Sequence, residues 1–284
     1  MSLMSLLKRA AKGALSPGLL VLLVHGRHKL IRNSKGTNSF LDEETVIRKY
    51  LDSLELTNHY CVDIAASDGI NASNTYSLYK DGWGGIALEL DPTRFAMLAL
   101  AYRAFPNVSL LRTKVLPDNV LWILKSCKCP ADFSLLNLDI DGYDFYVLEQ
   151  LLSEFRPRLV CLEINENIPP PIQFTVKADP GHFWSGDHFH GQSISKSHEL
   201  CRKYDYDIVE LHYNNLIIMP RELNKFASLS PEEAYDAGYK NKPDRKQKFH
   251  WNADMEAVLG MTSEEAKRYL SKKFEKYAGK FVLE

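Results

Sequence analysis

Five short apolar runs, each followed by a stretch of helical periodicity, constrain this chain more than any other feature. The runs cover 60–66, 83–90, 108–111, 133–138 and 158–164. Between them lie 74–80, 94–104, 119–125 and 145–154, where apolar residues recur at helical spacing. Strands that are apolar on both faces must be covered on both faces, which predicts a mostly parallel sheet between two helical layers. An irregular stretch over 166–192 follows, then a helix near 195–203. Two closing strands at 208–211 and 215–219, joined by a short turn, bring the sheet to seven strands with an antiparallel finish.

The flanks read differently. Residues 32–40 are polar and turn-rich, as in a linker. Asp42 stands where it can cap a helix carrying Val46, Ile47, Tyr50, Leu51 and Leu54. From Lys225 onward the sequence turns charged and helical. Ser230-Pro231-Glu232-Glu233 is a helix start with proline in the first turn, and Thr262-x-x-Glu265 is a capping box opening a helix through Tyr277. The expected division is an N-terminal helical extension and linker at 1–40, an α/β domain at 41–224 and a C-terminal helical extension at 225–284. Lys8, Arg9 and Lys12 precede the apolar run 19–24, which is far below the roughly 20 residues of a membrane span. It lacks a cleavage site, so a basic surface helix with scope for peripheral membrane contact is expected.

Composition narrows the class of function. Across 284 residues, 35 Lys and Arg balance 36 Asp and Glu, which argues against a general nucleic-acid binder. The five cysteines have no disulfide or zinc spacing, which suits a reducing cytoplasmic compartment.

In an open α/β sheet, ligands bind beyond the carboxyl ends of the strands where the strand order reverses. The first strand here ends Val62-Asp63-Ile64-Ala65-Ala66-Ser67-Asp68-Gly69, and the second ends Leu88-Glu89-Leu90-Asp91-Pro92. Glu89 follows this turn at the distance where an acid accepts hydrogen bonds from the ribose of an adenosine ligand. A dinucleotide site would require G-x-G-x-x-G so that backbone amides approach a pyrophosphate. This turn has a single glycine and the acids Asp63 and Asp68. Acids repel pyrophosphate but suit the ammonium and sulfonium of S-adenosylmethionine (SAM).

These runs, with Ser73-Asn74-Thr75-Tyr76 and Gly82-Trp83-Gly84-Gly85-Ile86, resemble FkbM-like SAM-dependent methyltransferases. The resemblance continues in Leu138-Asp139-Ile140-Asp141-Gly142-Tyr143-Asp144, in Arg156-Pro157-Arg158 leading to Glu163-Ile164-Asn165, and weakly in Trp184-Ser185-Gly186-Asp187 and Gly191-Gln192-Ser193. It spans roughly 58–222 and implies a Rossmann-like class I methyltransferase fold. It also implies that Asp63 and Gly69 line the methionine moiety of SAM and that Glu89 binds the ribose. Asp68, Asn74 and Asp91 belong to the same shell, as does Ala65, which stands where the family usually has glycine. Arg112 and Thr113 are the candidates near adenine.

Methyl transfer needs an aligned acceptor and an outlet for its proton. Asp139 ends the fourth strand, and Glu163 with Asn165 ends the fifth. Two carboxylates and an amide suit a hard cation such as Mg²⁺ or Ca²⁺, which would make Asp139, Glu163 and Asn165 its ligands. The alternative is that Asp139 and Glu163 only organise the cofactor and loops. The loop 181–191 adds three histidines among aromatics and glycines, with His188 and His190 the candidate bases. The function expected is O-methylation of a small polar acceptor, such as a sugar or glycolipid precursor. A non-catalytic SAM-binding scaffold and an RNA methyltransferase remain alternatives, the latter for the basic run at 244–248.

Overall fold

The structure, a computed structural model, describes residues 37–284. The basic N-terminal helix expected from the sequence, and most of the 1–40 segment, lie outside the described residues. Strands β1 (Tyr60–Ile64), β2 (Gly84–Glu89), β3 (Val108–Arg112), β4 (Leu135–Leu138) and β5 (Leu159–Glu163) are parallel. After β6 (Phe174–Val176), which stands apart, β7 (Tyr206–His212) and β8 (Asn215–Pro220) complete the sheet. The order is β3-β2-β1-β4-β5-β8-β7, with β8 antiparallel to both neighbours. This is the Rossmann-like class I methyltransferase topology expected from the sequence.

The alternation along each strand explains both helical layers. Val62, Ile64, Leu136, Leu138, Val160 and Leu162 face one core with α4 (Val120–Ser126), α5 (Asp144–Leu152) and α6 (Ile194–Lys203). Cys61, Ala87, Leu135, Leu159 and Cys161 face the other, with α1 (Glu43–Leu51), α2 (Tyr76–Lys80) and α3 (Pro92–Ala101). Each fully buried Leu or Ile contributes about 1.5–3 kcal/mol. A polar substitution at Leu136, buried between β1 and β5, would therefore disrupt the centre of the sheet.

Helix starts follow their capping residues. Asp91 accepts hydrogen bonds from the amides of Thr93 and Arg94, and Pro92 opens α3. Ser230 and Thr262 form the capping boxes of α7 (Pro231–Tyr235) and α9 (Ser263–Lys273), on either side of the short α8 (Arg245–Lys248). Asp42 does not cap α1: its backbone is left-handed, and its carboxylate lies 3.1 Å from His212 Nε2. Ser39 Oγ accepts from the Glu44 amide instead.

Two strands escaped the sequence reading. β6 lies within the irregular stretch, and β9 (Phe281–Leu283) ends the segment read as helical. The two pair antiparallel, Phe174 opposite Leu283. Around them a third apolar cluster joins Phe174 and Phe189 to Met255, Val258, Leu270 and Phe274. Residues 225–284 therefore pack back onto the sheet domain, with Tyr235, Tyr239 and Phe249 in its core.

Candidate functional site

The carboxyl ends of β1, β2 and β4 open into a cavity of ≈ 670 Å³. It spans the point where the strand order reverses, as expected for a ligand site in an open sheet. Four non-glycine residues on its wall have left-handed backbones: Ala65 (φ 73), Ser67 (φ 52), Ala72 (φ 51) and Asp141 (φ 54). Such conformations are costly, and their concentration on one cavity is a mark of a functional site.

Asp63, at the end of β1, is buried. Its Oδ1 accepts from Asn137 Nδ2 at 2.9 Å and its Oδ2 from Thr75 Oγ1 at 2.6 Å. Asn74 Nδ2 donates in turn to Asn137 Oδ1 at 3.0 Å, so four side chains form one polar chain, with Asp63, Asn137 and Asn74 on the cavity wall. Burial pushes the Asp63 carboxyl up to about 6, although both hydrogen bonds act to lower it. Asn137 escaped the sequence reading, because an asparagine inside an apolar strand gives no local signal of its partners. Glu89, at the end of β2, accepts from the Ser67 amide at 2.9 Å and the Asp91 amide at 2.6 Å. These two bonds fix its carboxylate at the mouth of the β1–α2 loop.

Asp63, Ala65, Asn74, Glu89 and Asp91 all line the cavity, as does Thr113. Asp68 and Gly69 are not on its wall. Asp68 accepts from the amides of Ile70 and Asn71, bracing the loop from within. Gly69 (φ +79) packs against α3: a Cβ there would stand 2.6 Å from Leu98 Cδ1 and 2.7 Å from Tyr102 Cε1. What approaches this glycine is the α3 segment, not the cavity. Arg112 is not on the wall either.

A second chamber of ≈ 270 Å³ adjoins the first. Ala72, Asn74, Asp139, Asp141 and Trp184 line both. Its remaining wall has Glu43, Glu163, Glu166, His190, Asn214 and Asn215, with the aromatics Phe40, Phe249 and Trp251. Phe249 and Trp251 come from the segment the sequence presented as an extension, so no motif announced them. Among the described residues, no Lys or Arg lines this chamber.

The acids here perturb one another. Burial raises the Asp139 carboxyl, against the effect of its hydrogen bond to Glu163. Glu163 is raised well above its usual range by burial and by the charges of Asp139 and Asp141. Asp141 is pushed up to about 8 by burial, with Asp139 and Asp144 adding to it. Asp144 starts α5 and accepts from the amides of Ile140 and Gly142, closing the 139–144 turn.

The histidine loop divides its residues. His190 lines the chamber, with Nδ1 3.9 Å from Glu163 Oε2, and burial holds it down to about 4, so the ring is neutral. His188 turns away and is on neither cavity wall; its Nε2 lies 2.9 Å from Asp254 Oδ1. That position does not suit a catalytic base. Asn165 also departs from its expected role as a metal ligand. It lines neither cavity, and its Nδ2 donates to the carbonyls of His188 and His190 while its Oδ1 accepts from the Asn167 amide. The amide anchors the loop that presents His190. The basic run at 244–248 is neutralised locally: Arg245 pairs with Glu256, and Lys248 with Asp244 at 3.0 Å.

No protein-family model matches the chain, and no curated protein matches it. Solved structures do. The N-terminal domain of EvdMO1 with SAH bound is 9% identical, covering 64% of this chain and 82% of that one with a TM-score of 0.44. A SAM dependent methyltransferase from Aquifex aeolicus is 12% identical, with 63% and 89% covered and a TM-score of 0.36. The CurJ carbon methyltransferase is 10% identical, with 75% and 62% covered and a TM-score of 0.42. At this distance the similarity decides no residue's role. Among the described residues, no helix is long and apolar enough to cross a membrane.

Proposed function

We propose that this chain is a SAM-dependent methyltransferase of the FkbM-like kind, acting on an oxygen of a small polar acceptor such as a sugar or glycolipid precursor. The observation that carries this reading is the pair of adjoining cavities with Asp139 and Asp141 on their common wall. The larger cavity suits the donor: Asp63, Glu89, Asp91, Asp139 and Asp141 outnumber Arg94 and Lys114 on its wall, an acidic excess that favours a cationic ligand over a pyrophosphate. SAM would supply an electrophilic methyl group on a sulfonium. In this reading Glu89, already oriented by two amides, receives the ribose hydroxyls, and Asp63 with Asn74 faces the amino-acid end.

The smaller chamber suits the acceptor. Carboxylates and amides among exposed aromatic faces match the mixed polar and apolar surface of a sugar. Asp139 is our assignment for the group that takes the hydroxyl proton, since it borders both cavities and burial favours its protonated product. An RNA substrate is disfavoured by a chamber lined with carboxylates and, among the described residues, without Lys or Arg.

Isothermal titration of the full chain with SAM tests the donor reading. The expected result is one site per chain, weakened at least tenfold by Glu89→Ala. Absence of heat with the wild-type protein would overturn it.

A further inference from the structure

Asp141, Glu163 and His190 each offer a ligand atom, and these atoms lie within 4.8 Å of one another on the chamber wall. Acids crowd many surfaces without binding anything, so the histidine is the decisive observation. His190 is 8% exposed, and its Nδ1 is buried with no hydrogen-bond partner among the described residues. An orphaned buried nitrogen is costly unless something occupies the space it faces. It faces Glu163 Oε2 at 3.9 Å, too far for a hydrogen bond and suited to an atom between them.

The surroundings are built to hold this arrangement. Asn214 Nδ2 donates to Glu163 Oε1 at 2.8 Å, which directs Oε2 toward His190. Gln192 Nε2 donates to the Glu163 carbonyl at 2.7 Å, and Asn165 clamps the carbonyl of His190. Partners of this kind orient metal ligands from outside the coordination shell. Ligand atoms around a divalent ion at about 2.0–2.2 Å stand about 3 Å apart when adjacent, so small side-chain rotations would close the group.

The geometry points to a divalent-cation site formed by Asp141, Glu163 and His190 in the smaller chamber. The donor set differs from the one the sequence suggested: an imidazole replaces the asparagine amide, and Asp141 replaces Asp139 as ligand. Two carboxylates with one imidazole and no thiol favour Mn²⁺ or a similar first-row ion over Ca²⁺. Binding of the ion rests on the chamber alone. Its service to an acceptor oxygen, held beside Asp139, rests on the methyl-transfer reading.

Mn²⁺ titrated into the purified full chain without SAM, followed by the loss of its free electron paramagnetic resonance signal, tests the site. One Mn²⁺ per chain is expected, weakened at least tenfold in Glu163→Gln and in His190→Ala. His59→Ala, an exposed residue before β1 and on neither cavity wall, should bind as the wild type does. Thermal melts of each variant identify any that fail to fold, and the isosteric Glu163→Gln keeps the test available if His190→Ala does. Failure of the wild type to bind Mn²⁺, equal binding by folded Glu163→Gln, or equal loss in folded His59→Ala would overturn the site. SAM titration of the same proteins reports on the donor reading separately, so the two can fail independently.

Discussion

Phe189 and Tyr277 stack face to face, their ring centroids 3.8 Å apart and their planes 13° from parallel. The contact joins the loop that carries His190 to a turn almost ninety positions later, Glu275–Tyr277. Tyr277 OH also donates to Asp187 Oδ2 at 2.6 Å, and Lys276 Nζ pairs with the same oxygen at 2.9 Å. His188 with Asp254 adds a third tie. The presentation of His190 therefore depends on a segment remote in sequence.

Tyr277→Phe keeps the stack and removes the hydroxyl. We expect a loss of about 1.5–3 kcal/mol, the range for a hydrogen bond to a charged group. Phe189→Ala removes a buried ring and should lose about 3–5 kcal/mol. Urea denaturation gives both values. Hydrogen exchange should accelerate at 182–190 in both variants, and unchanged exchange there would show that the stack does not hold the loop.

Two substitutions in the β1–α2 turn should have opposite signs. Gly69→Ala places a methyl against Leu98 and Tyr102 in a left-handed conformation, and should destabilise by about 2–4 kcal/mol. Ala65→Gly relaxes a left-handed alanine (φ 73) and should stabilise by about 0.5–1 kcal/mol, after the greater freedom of glycine in the unfolded chain is offset. Denaturation midpoints moving in the same direction for both would contradict this account.

Asp63 should leave a signature in pH. Burial raises its folded pKa to about 6 from an ordinary 3.8, with the charges of Asp139 and Glu89 adding to the rise while Thr75 and Asn137 oppose it. The folded state thus binds the proton more tightly than the unfolded state between about pH 4 and 6. Stability attributable to Asp63 is present below pH 4, falls as pH rises through that window, and stays lower above it. Asp63→Asn should remove this component and gain up to about 3 kcal/mol relative to the wild type at pH 7. Asp139, Asp141 and Glu163 titrate nearby in both proteins, so the difference between the two urea series reports Asp63 together with its coupling to Asp139 and Glu89. A constant difference from pH 4 to 7 would sink the argument.

The parts of this fold legible in the sequence were those with a local cause. Alternation of Val62, Leu136 and Val160 with Cys61, Leu135 and Cys161 announced a sheet covered on both faces, and the acids Glu89, Asp139 and Glu163 announced its ligand-bearing edge. Thr262 and Glu265 bonded as their spacing suggested. What could not be read was which partner a polar group would choose. Asn165 has the chemistry of a metal ligand, yet two loop carbonyls occupy its amide. Gly69 stands in a ligand-binding turn by resemblance, yet Leu98 and Tyr102 occupy the space beside it. Trp251 reaches the chamber through its neighbours' contacts with remote residues, Phe249 in the sheet core and Asn252 on Glu166, which no local pattern encodes.

The pairing of β6 with β9 also sets an order of events during synthesis. The walls of the larger cavity come from residues 63 to 184, so most of that site has left the ribosome before Trp251 is made. The smaller chamber lacks its aromatic wall until then, and lacks the clasp behind its histidine loop until Tyr277 and β9 emerge. Domains acquire structure as they emerge, amino-terminal parts first. A nascent chain of this protein would thus be able to shape its larger cavity well before the smaller chamber had all of its walls.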